Sequence, residues 1–175
     1  MRRVVYSVAM SLDGYIAGPK GEYDWIAPDP SFDFKALYRR FDTLLMGRRT
    51  YELMLTGGQS LKRMGMKAVV FSTTLDPAAH RDVRIVRGGA GEAVAELKSQ
   101  PGKDIWLFGG AVLFRSLMDA GLVDAVEIAV QPMLLGGGVR VIPDGRRWPL
   151  RLESCEQYAN GMLMLKYSVP SYHAT

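Results

Sequence analysis

The chain has 175 residues, 48% of them apolar and 23% charged, with a formal net charge of +4, which suits one folded domain spanning residues 1–175 whose core needs no staples. Its single cysteine, Cys155, excludes an internal disulfide framework and points to a reducing, cytoplasmic setting. The basic residues fall in scattered pairs such as Arg39-Arg40, Arg48-Arg49 and Arg146-Arg147 rather than clustering with aromatics, so the expected partner is a small anionic molecule and not nucleic acid. No apolar run reads as an export signal or a membrane span, and the two histidines have no close Cys or Asp spacing that would suggest a metal site.

Taken in order, Arg3 to Met10 alternates and is rich in Val, predicting a first strand. From Ser11 to Asp29 the chain is broken by Gly14, Gly18, Pro19, Gly21 and Pro28. So long an irregular stretch is expected of a loop closing over a site, or of a loop merely anchored by Tyr15, Tyr23 and Trp25. Ser31 is the expected N-cap of a helix running to about Phe41, with Phe34, Leu37, Tyr38 and Phe41 on one face read as core. Asp33 in its first turn is either a favourable charge at the helix start or a carboxylate facing a substrate.

Thr43 to Met46 is the next buried strand, and Gly47-Arg48-Arg49-Thr50 opens a helix of about Thr50 to Leu55. Cations are disfavoured at a helix N-terminus, so two arginines there call for an anionic partner or a turn into solvent. Thr56 to Met66 reads as a loop or weak helix, Lys67 to Phe71 as a strand ending at Ser72-Thr73-Thr74, and Arg84 to Val86 as a short strand. A helix from Gly91 to about Gln100 follows. The run Ile105 to Phe108 is apolar throughout, as a strand covered on both faces must be. It ends on Gly109-Gly110, before a helix of about Val112 to Ala120. Bare backbone there can meet an anion, or can serve tight packing alone. Asp124 to Pro132 alternates as a strand, and Met133 to Gly138 is a glycine loop that can approach a ligand or flex. Leu152 to Tyr158 and Met162 to Val169 form a hairpin turning on Asn160-Gly161. Cys155, within an alternating segment, is expected to be buried. Strand Ala125 to Val130 and the hairpin are the expected surface of a homodimer.

Strand and helix alternate after residue 40, which predicts a largely parallel α/β sheet. Its ligands belong beyond the carboxyl ends of the strands. Four such ends carry unusual residues: Ser11 to Gly14, Gly47 to Thr50, Ser72 to Thr74 and Gly109 to Ala111. No Ser/His/Asp or Cys/His set can be assembled, there is no Walker loop, and Gly109-Gly110 lacks the third glycine and the later acidic residue of a Rossmann fingerprint. Cofactor cradles without acid-base residues point to chemistry carried by the cofactor, hydride transfer above all.

The segments SLDGYIAG at 11–18, LLMGRRTYE at 44–52, VVFSTT at 69–74 and the long run from Trp106 to Gly138, with the terminal hairpin, resemble the dihydrofolate reductase-like superfamily. The likeness is greatest to stand-alone relatives of the reductase (C-terminal) domain of the riboflavin-biosynthesis deaminase-reductase. It implies a mostly parallel central sheet of about eight strands with helices on both faces and an antiparallel C-terminal hairpin, and NADPH as reductant. By that resemblance Gly47, Arg48 and Thr50 hold the cofactor's phosphates, with Arg48 nearest its 2′-phosphate. Ser72 and Thr73 lie along the adenosine half, Gly109, Gly110, Ala111 and Leu113 along the pyrophosphate, and Ala9 and Ile16 beside the nicotinamide. Asp13 and Trp25 are the expected substrate contacts, and Asp13, Asp33 or a bound water the proton source. Asp29 and Asp33 straddle the place where dihydrofolate reductases carry a carboxylate. The implied activity is hydride transfer to a small pterin- or pyrimidine-like heterocycle, as in 5-amino-6-(5-phosphoribosylamino)uracil reductase or dihydrofolate reductase. The alternative is a non-catalytic NADP-binding regulatory module. No zinc deaminase pattern precedes the domain.

Overall fold

The computed structural model describes residues 1–57 and 61–170; the centre of the loop read at Thr56 to Met66, and His173, lie outside those described residues. An eight-stranded sheet has the order β5-β4-β3-β6-β1-β7-β10-β9. Its strands are β1 (Val4–Ser11), β3 (Phe41–Gly47), β4 (Lys67–Phe71), β5 (Arg84–Val86), β6 (Asp104–Gly109), β7 (Ala125–Gln131), β9 (Arg151–Gln157) and β10 (Leu163–Ser168). From β5 to β7 the pairing is parallel; β10 runs antiparallel to both β7 and β9. The largely parallel winding is what the alternation of strand and helix predicts, and the eight strands with an antiparallel C-terminal hairpin are what the resemblance to the dihydrofolate reductase-like superfamily implies.

The continuous apolar runs follow from two-sided burial. Along β3, Leu45 faces one cluster with Val4, Tyr6, Ile105 and Leu107, while Leu44 and Met46 face another with Val5, Val70 and Trp106. The first cluster is closed by α4 (Ala90–Ser99) and α5 (Ala111–Asp119), through Val94, Leu97, Leu113, Phe114 and Leu117. The second is closed by α2 (Arg48–Thr56), through Tyr51 and Met54, with Leu61 and Met64 of the short α3 (Leu61–Met64) packed against it. Apart from the half-buried Leu61 and Met64, every one of these side chains is under a tenth exposed, and burying each contributes about 1.5–3 kcal/mol.

Connectivity then creates a break in the winding. From β3 the chain crosses through α2 to β4, whereas from the adjacent β6 it crosses through α5 to β7, in the opposite direction. Parallel crossovers keep one hand, so helices leaving in opposite directions cover opposite faces, and their starts lie side by side at the top of the sheet.

Several expectations are corrected. Helix α1 (Phe34–Arg39) is capped by Asp33, whose Oδ1 accepts from Ala36 N at 2.8 Å; Ser31 instead donates to Asp29 Oδ1 at 2.6 Å. The α1 stripe is core only in part: Leu37 and Tyr38 pack half-buried against the second cluster, whereas no residue of the helix is fully buried and Phe34 is 41% exposed. Only Phe41, already in β3, is buried. Within the Ser11 to Asp29 loop, β2 (Tyr15–Ala17) pairs with β8 (Val139–Arg140). Gly138 makes that pairing possible, since a Cβ there would stand 2.1 Å from Ala17 O at a φ of +140°. Cys155 is exposed because β9 is the sheet's last strand and all seven of its residues face solvent. Strand β7, expected at a dimer surface, is instead enclosed between β1 and β10.

Candidate active site

Helix α2 covers the sheet only over β3 and β4. The same face of β1, β7 and β10 is left open, and there lies a cleft of about 1470 Å³, larger than the roughly 300–1,000 Å³ of an ordinary small-ligand site. It has two halves.

The first half lies at the break in the winding. Helices α2 and α5 each begin on a glycine N-cap, Gly47 and Gly110, with no side chain capping their free amides. The two caps touch: a Cβ on Gly47 would lie 3.9 Å from Gly110 N, and one on Gly110 only 3.3 Å from Thr50 Oγ1. Uncapped N–H groups of two helices, each end carrying about half a positive charge, thus converge where the backbone is bare. Gly47, Arg48, Arg49, Thr50, Gly109, Gly110, Ala111 and Leu113 all line this half. The Gly109-Gly110 peptide is cis. Arg48 pairs with Glu52 one helical turn on, at 3.1 Å, whereas Arg49 lines the cleft without a carboxylate partner among the described residues.

The second half is apolar. Ala9 and Ala129 are register partners on β1 and β7, with Met164 next in line on β10, and these small residues form a low floor. One wall is a chain of rings. Phe32 meets Phe34 at 4.8 Å between centroids, Phe34 meets Tyr38 at 6.1 Å, Tyr38 meets Trp106 at 6.0 Å and Trp106 meets Phe108 at 5.2 Å. Phe34, Leu37 and Tyr38, spaced three and four apart, present one face of α1 to the cleft. Ile16, Tyr23 and Ile26 line it from the loop side.

This wall is clamped from outside. Asp29, 5% exposed, accepts from Ser31 N, Ser31 Oγ and Asn160 N, and these bonds hold its carboxyl below the usual range. Asn160 also donates to Ala27 O at 2.8 Å, and Gln131 Oε1 accepts from Ala27 N at 3.3 Å. At its other end α1 is tied down by Arg40, which makes a two-pronged ion pair with Glu127 of β7, at 2.9 and 2.6 Å.

Ala9 and Ile16 thus lie in the cleft, but the residues expected for substrate and proton do not. Asp13 is spent joining two loops: it accepts from Ser11 Oγ at 2.6 Å, Leu135 N at 3.0 Å and Gly136 N at 2.7 Å. The Ser11 hydroxyl first, then those amides, pull its carboxyl down to about 2, so at neutral pH it has no proton to donate. Asp33 is spent on the α1 cap. Trp25 does not line the cleft; its Nε1 donates to Glu22 O at 3.0 Å. Ser72 Oγ accepts from Thr74 N and Leu75 N, closing its own turn, and neither it nor Thr73 lines the cleft, although the preceding Phe71 does. Sequence reasoning missed Arg49, Gln131, Trp106, Phe108, Met162 and Met164 as cleft residues. Only Arg49 carried a signal, as one of two cations at a helix start.

Asp13 allows a pH test. Its folded pKa lies below the ordinary 3.8, so its stabilising contribution is complete above that value and is lost as pH falls toward about 2. The melting-temperature gap between the parent and Asp13→Asn is therefore expected to be widest at neutral pH and to close over that acid interval in thermal melts. A gap independent of pH would contradict this role.

Residues 2–164 match the family model described as the RibD C-terminal domain. The uncharacterized Bacillus subtilis (strain 168) protein YyaP is 31% identical over 181 aligned positions, covering 95% of this chain and 94% of YyaP. Among solved structures, a Shewanella sp. PV-4 protein provisionally assigned to riboflavin biosynthesis superposes with a TM-score of 0.81 at 28% identity, covering 97% of this chain and 99% of that one. A Thermotoga maritima diaminohydroxyphosphoribosylaminopyrimidine deaminase/5-amino-6-(5-phosphoribosylamino)uracil reductase shares the fold, with a TM-score of 0.67 at 16% identity over 96% of this chain and 56% of its own. Among the described residues no helix is long and apolar enough to cross a membrane.

Proposed function

The chain belongs to the RibD C-terminal domain family, and from that membership we propose that it is an NADPH-dependent reductase delivering a hydride to a small heterocycle of the pyrimidine or pterin type. The observation that carries this reading is the meeting of two uncapped helix N-termini at Gly47 and Gly110 beside Arg48, Arg49 and Thr50. That donor set, all amides, guanidinium groups and a hydroxyl on bare backbone, fits a dinucleotide's phosphates. The α2 and α5 amides would hold the diphosphate. Arg49, whose guanidinium is not spent on a carboxylate, is better placed for the 2′-phosphate than Arg48. When bound, the cofactor supplies the hydride. Ala9, Ile16 and Ala129 would lie against its nicotinamide, with the aromatic wall holding the acceptor ring alongside.

The proton would come from water. The cleft's one carboxylate among the described residues is Glu52, and it pairs with Arg48 in the cofactor half. The same observation leaves room for the second reading, a module that binds the dinucleotide without turnover, and steady-state oxidation of NADPH with ring substrates separates the two.

The direct test is fluorescence titration. The parent is expected to bind NADPH, and Arg49→Ala to weaken it about ten-fold or more, in line with the ~1.5–3 kcal/mol of a charged hydrogen bond, while NADH binding changes little. A parent protein that binds no NADPH would sink the assignment.

A further inference from the structure

Within the cleft, charge is divided as unevenly as shape. The cations that line it among the described residues are Lys20, Arg48 and Arg49. Arg48 and Arg49 open α2. Lys20 lies in a strap over the same helix, since a Cβ on the neighbouring Gly21 would sit 3.4 Å from the Leu53 side chain. All three therefore belong to the cofactor half.

Among the described residues, the other half offers a phosphate no cation. Helix α1 presents Phe34, Leu37 and Tyr38 to the cleft, so Lys35 and Arg39 fall on its outer face, where Arg39 is exposed and 4.0 Å from Asp33. Arg40 has both prongs on Glu127, and Lys166, further along β10, does not line the cleft. The start of α1, the helix terminus on this side, is already occupied by the Asp33 carboxylate, and the buried Asp29 carboxylate stands in the adjoining segment. A phosphate here would meet no cation among the described residues and no free helix terminus to replace the water it loses. The groups that are present suit a flat, uncharged ring: an aromatic wall, methionines at 162 and 164, a two-alanine floor, and the neutral polar side chains of Ser7 and Gln131.

We propose that the substrate of this site is an unphosphorylated planar heterocycle, unlike the phosphoribosyl compound named for the Thermotoga maritima relative. This rests on the reductase reading above, and it assigns the aromatic face of α1 as the surface that selects against phosphate.

The experiment compares a ribosylaminouracil with and without its phosphate, and unsubstituted pterin, by NADPH oxidation and by calorimetric titration of the protein with and without NADPH. The phosphate-free rings are expected to be favoured at least about ten-fold in kcat/KM and in affinity. Equal or better use of the phosphorylated compound overturns the proposal, as does failure of every ring to bind. Phe34→Arg places a cation on an exposed wall position of a helix with no buried residue, and is expected to narrow the preference about ten-fold while leaving NADPH affinity unchanged; an unmoved preference counts against it. Loss of NADPH binding by the parent would remove the reductase reading, while the titrations of the free protein would still decide which ring the cleft takes.

Discussion

Gly110→Val is expected to weaken NADPH binding about 100-fold, equivalent to about 2.7 kcal/mol, with little loss of fold. Position 110 has an extended backbone, φ −96° and ψ −168°, in which a β-branched residue is at ease. The cost falls on the site. The new side chain would begin 3.3 Å from Thr50 Oγ1 and would fill the space over the α2 and α5 amides. An anion would then be pushed out of hydrogen-bond reach of both helix ends, and the attraction of a helix terminus fades within its first turn. Fluorescence titration with NADPH reads the affinity, and a thermal melt of the free protein separates a blocked site from a damaged fold. Near-parental affinity in a well-folded variant would mean that the diphosphate is not held at this junction.

Arg40→Ala is expected to lower the melting temperature by roughly 5–10 °C, at about 2–4 °C per kcal/mol for a chain of this size. Glu127 is 5% exposed, and removing its partner leaves a buried carboxylate unpaired, a change that costs about 3–5 kcal/mol at fully buried sites. The Arg40 side chain is 36% exposed, so water can partly replace it and about 2–3 kcal/mol is the expected loss. The pair has a second consequence. Helix α1 packs only the half-buried Leu37 and Tyr38 against the core and has no fully buried residue, so Arg40 adds a main tether between the aromatic wall and β7. Its loss is therefore expected to raise KM for the ring substrate several-fold while NADPH affinity, set at the far half of the cleft, stays put. Arg40→Lys should rescue only part of this, because an ammonium cannot match both carboxylate oxygens. Arg40→Leu combined with Glu127→Leu should recover most of the stability. A melting temperature unchanged in Arg40→Ala would show that the pair does not hold the wall.

How much of the site could be read in advance depended on whether its residues act through backbone or side chains. Gly47 and Gly109-Gly110 were legible because each follows an unbroken apolar strand and opens a helix, a local pattern that fixes both the bare backbone and the direction of the amides. Asp33 was legible as a charge at a helix start, because its cap is local, but Asp13 was not legible as a structural residue. A carboxylate's role depends on which amides reach it, and those of Leu135 and Gly136 come from more than 120 positions away.

The α1 stripe shows the same limit most clearly. Phe34, Leu37 and Tyr38 have the spacing of a core face, and spacing states only that the three share a side of a helix. Whether that side meets core or an open cleft is decided by how far α2 extends over the sheet. Cys155 and β7 changed places for a related reason, since alternation marks a strand but not its rank in the sheet, and β9 proved to be the edge while β7 lies inside. By itself, then, the sequence determined the strands, the parallel winding and the bare-backbone glycines at the helix starts, all of which follow from local apolar runs and their punctuation. The tertiary structure alone decided which face of the sheet stays open, and with it the uncharged aromatic half of the cleft, because that outcome depends on long-range crossings and on the Arg40–Glu127 tether, which joins residues 87 positions apart.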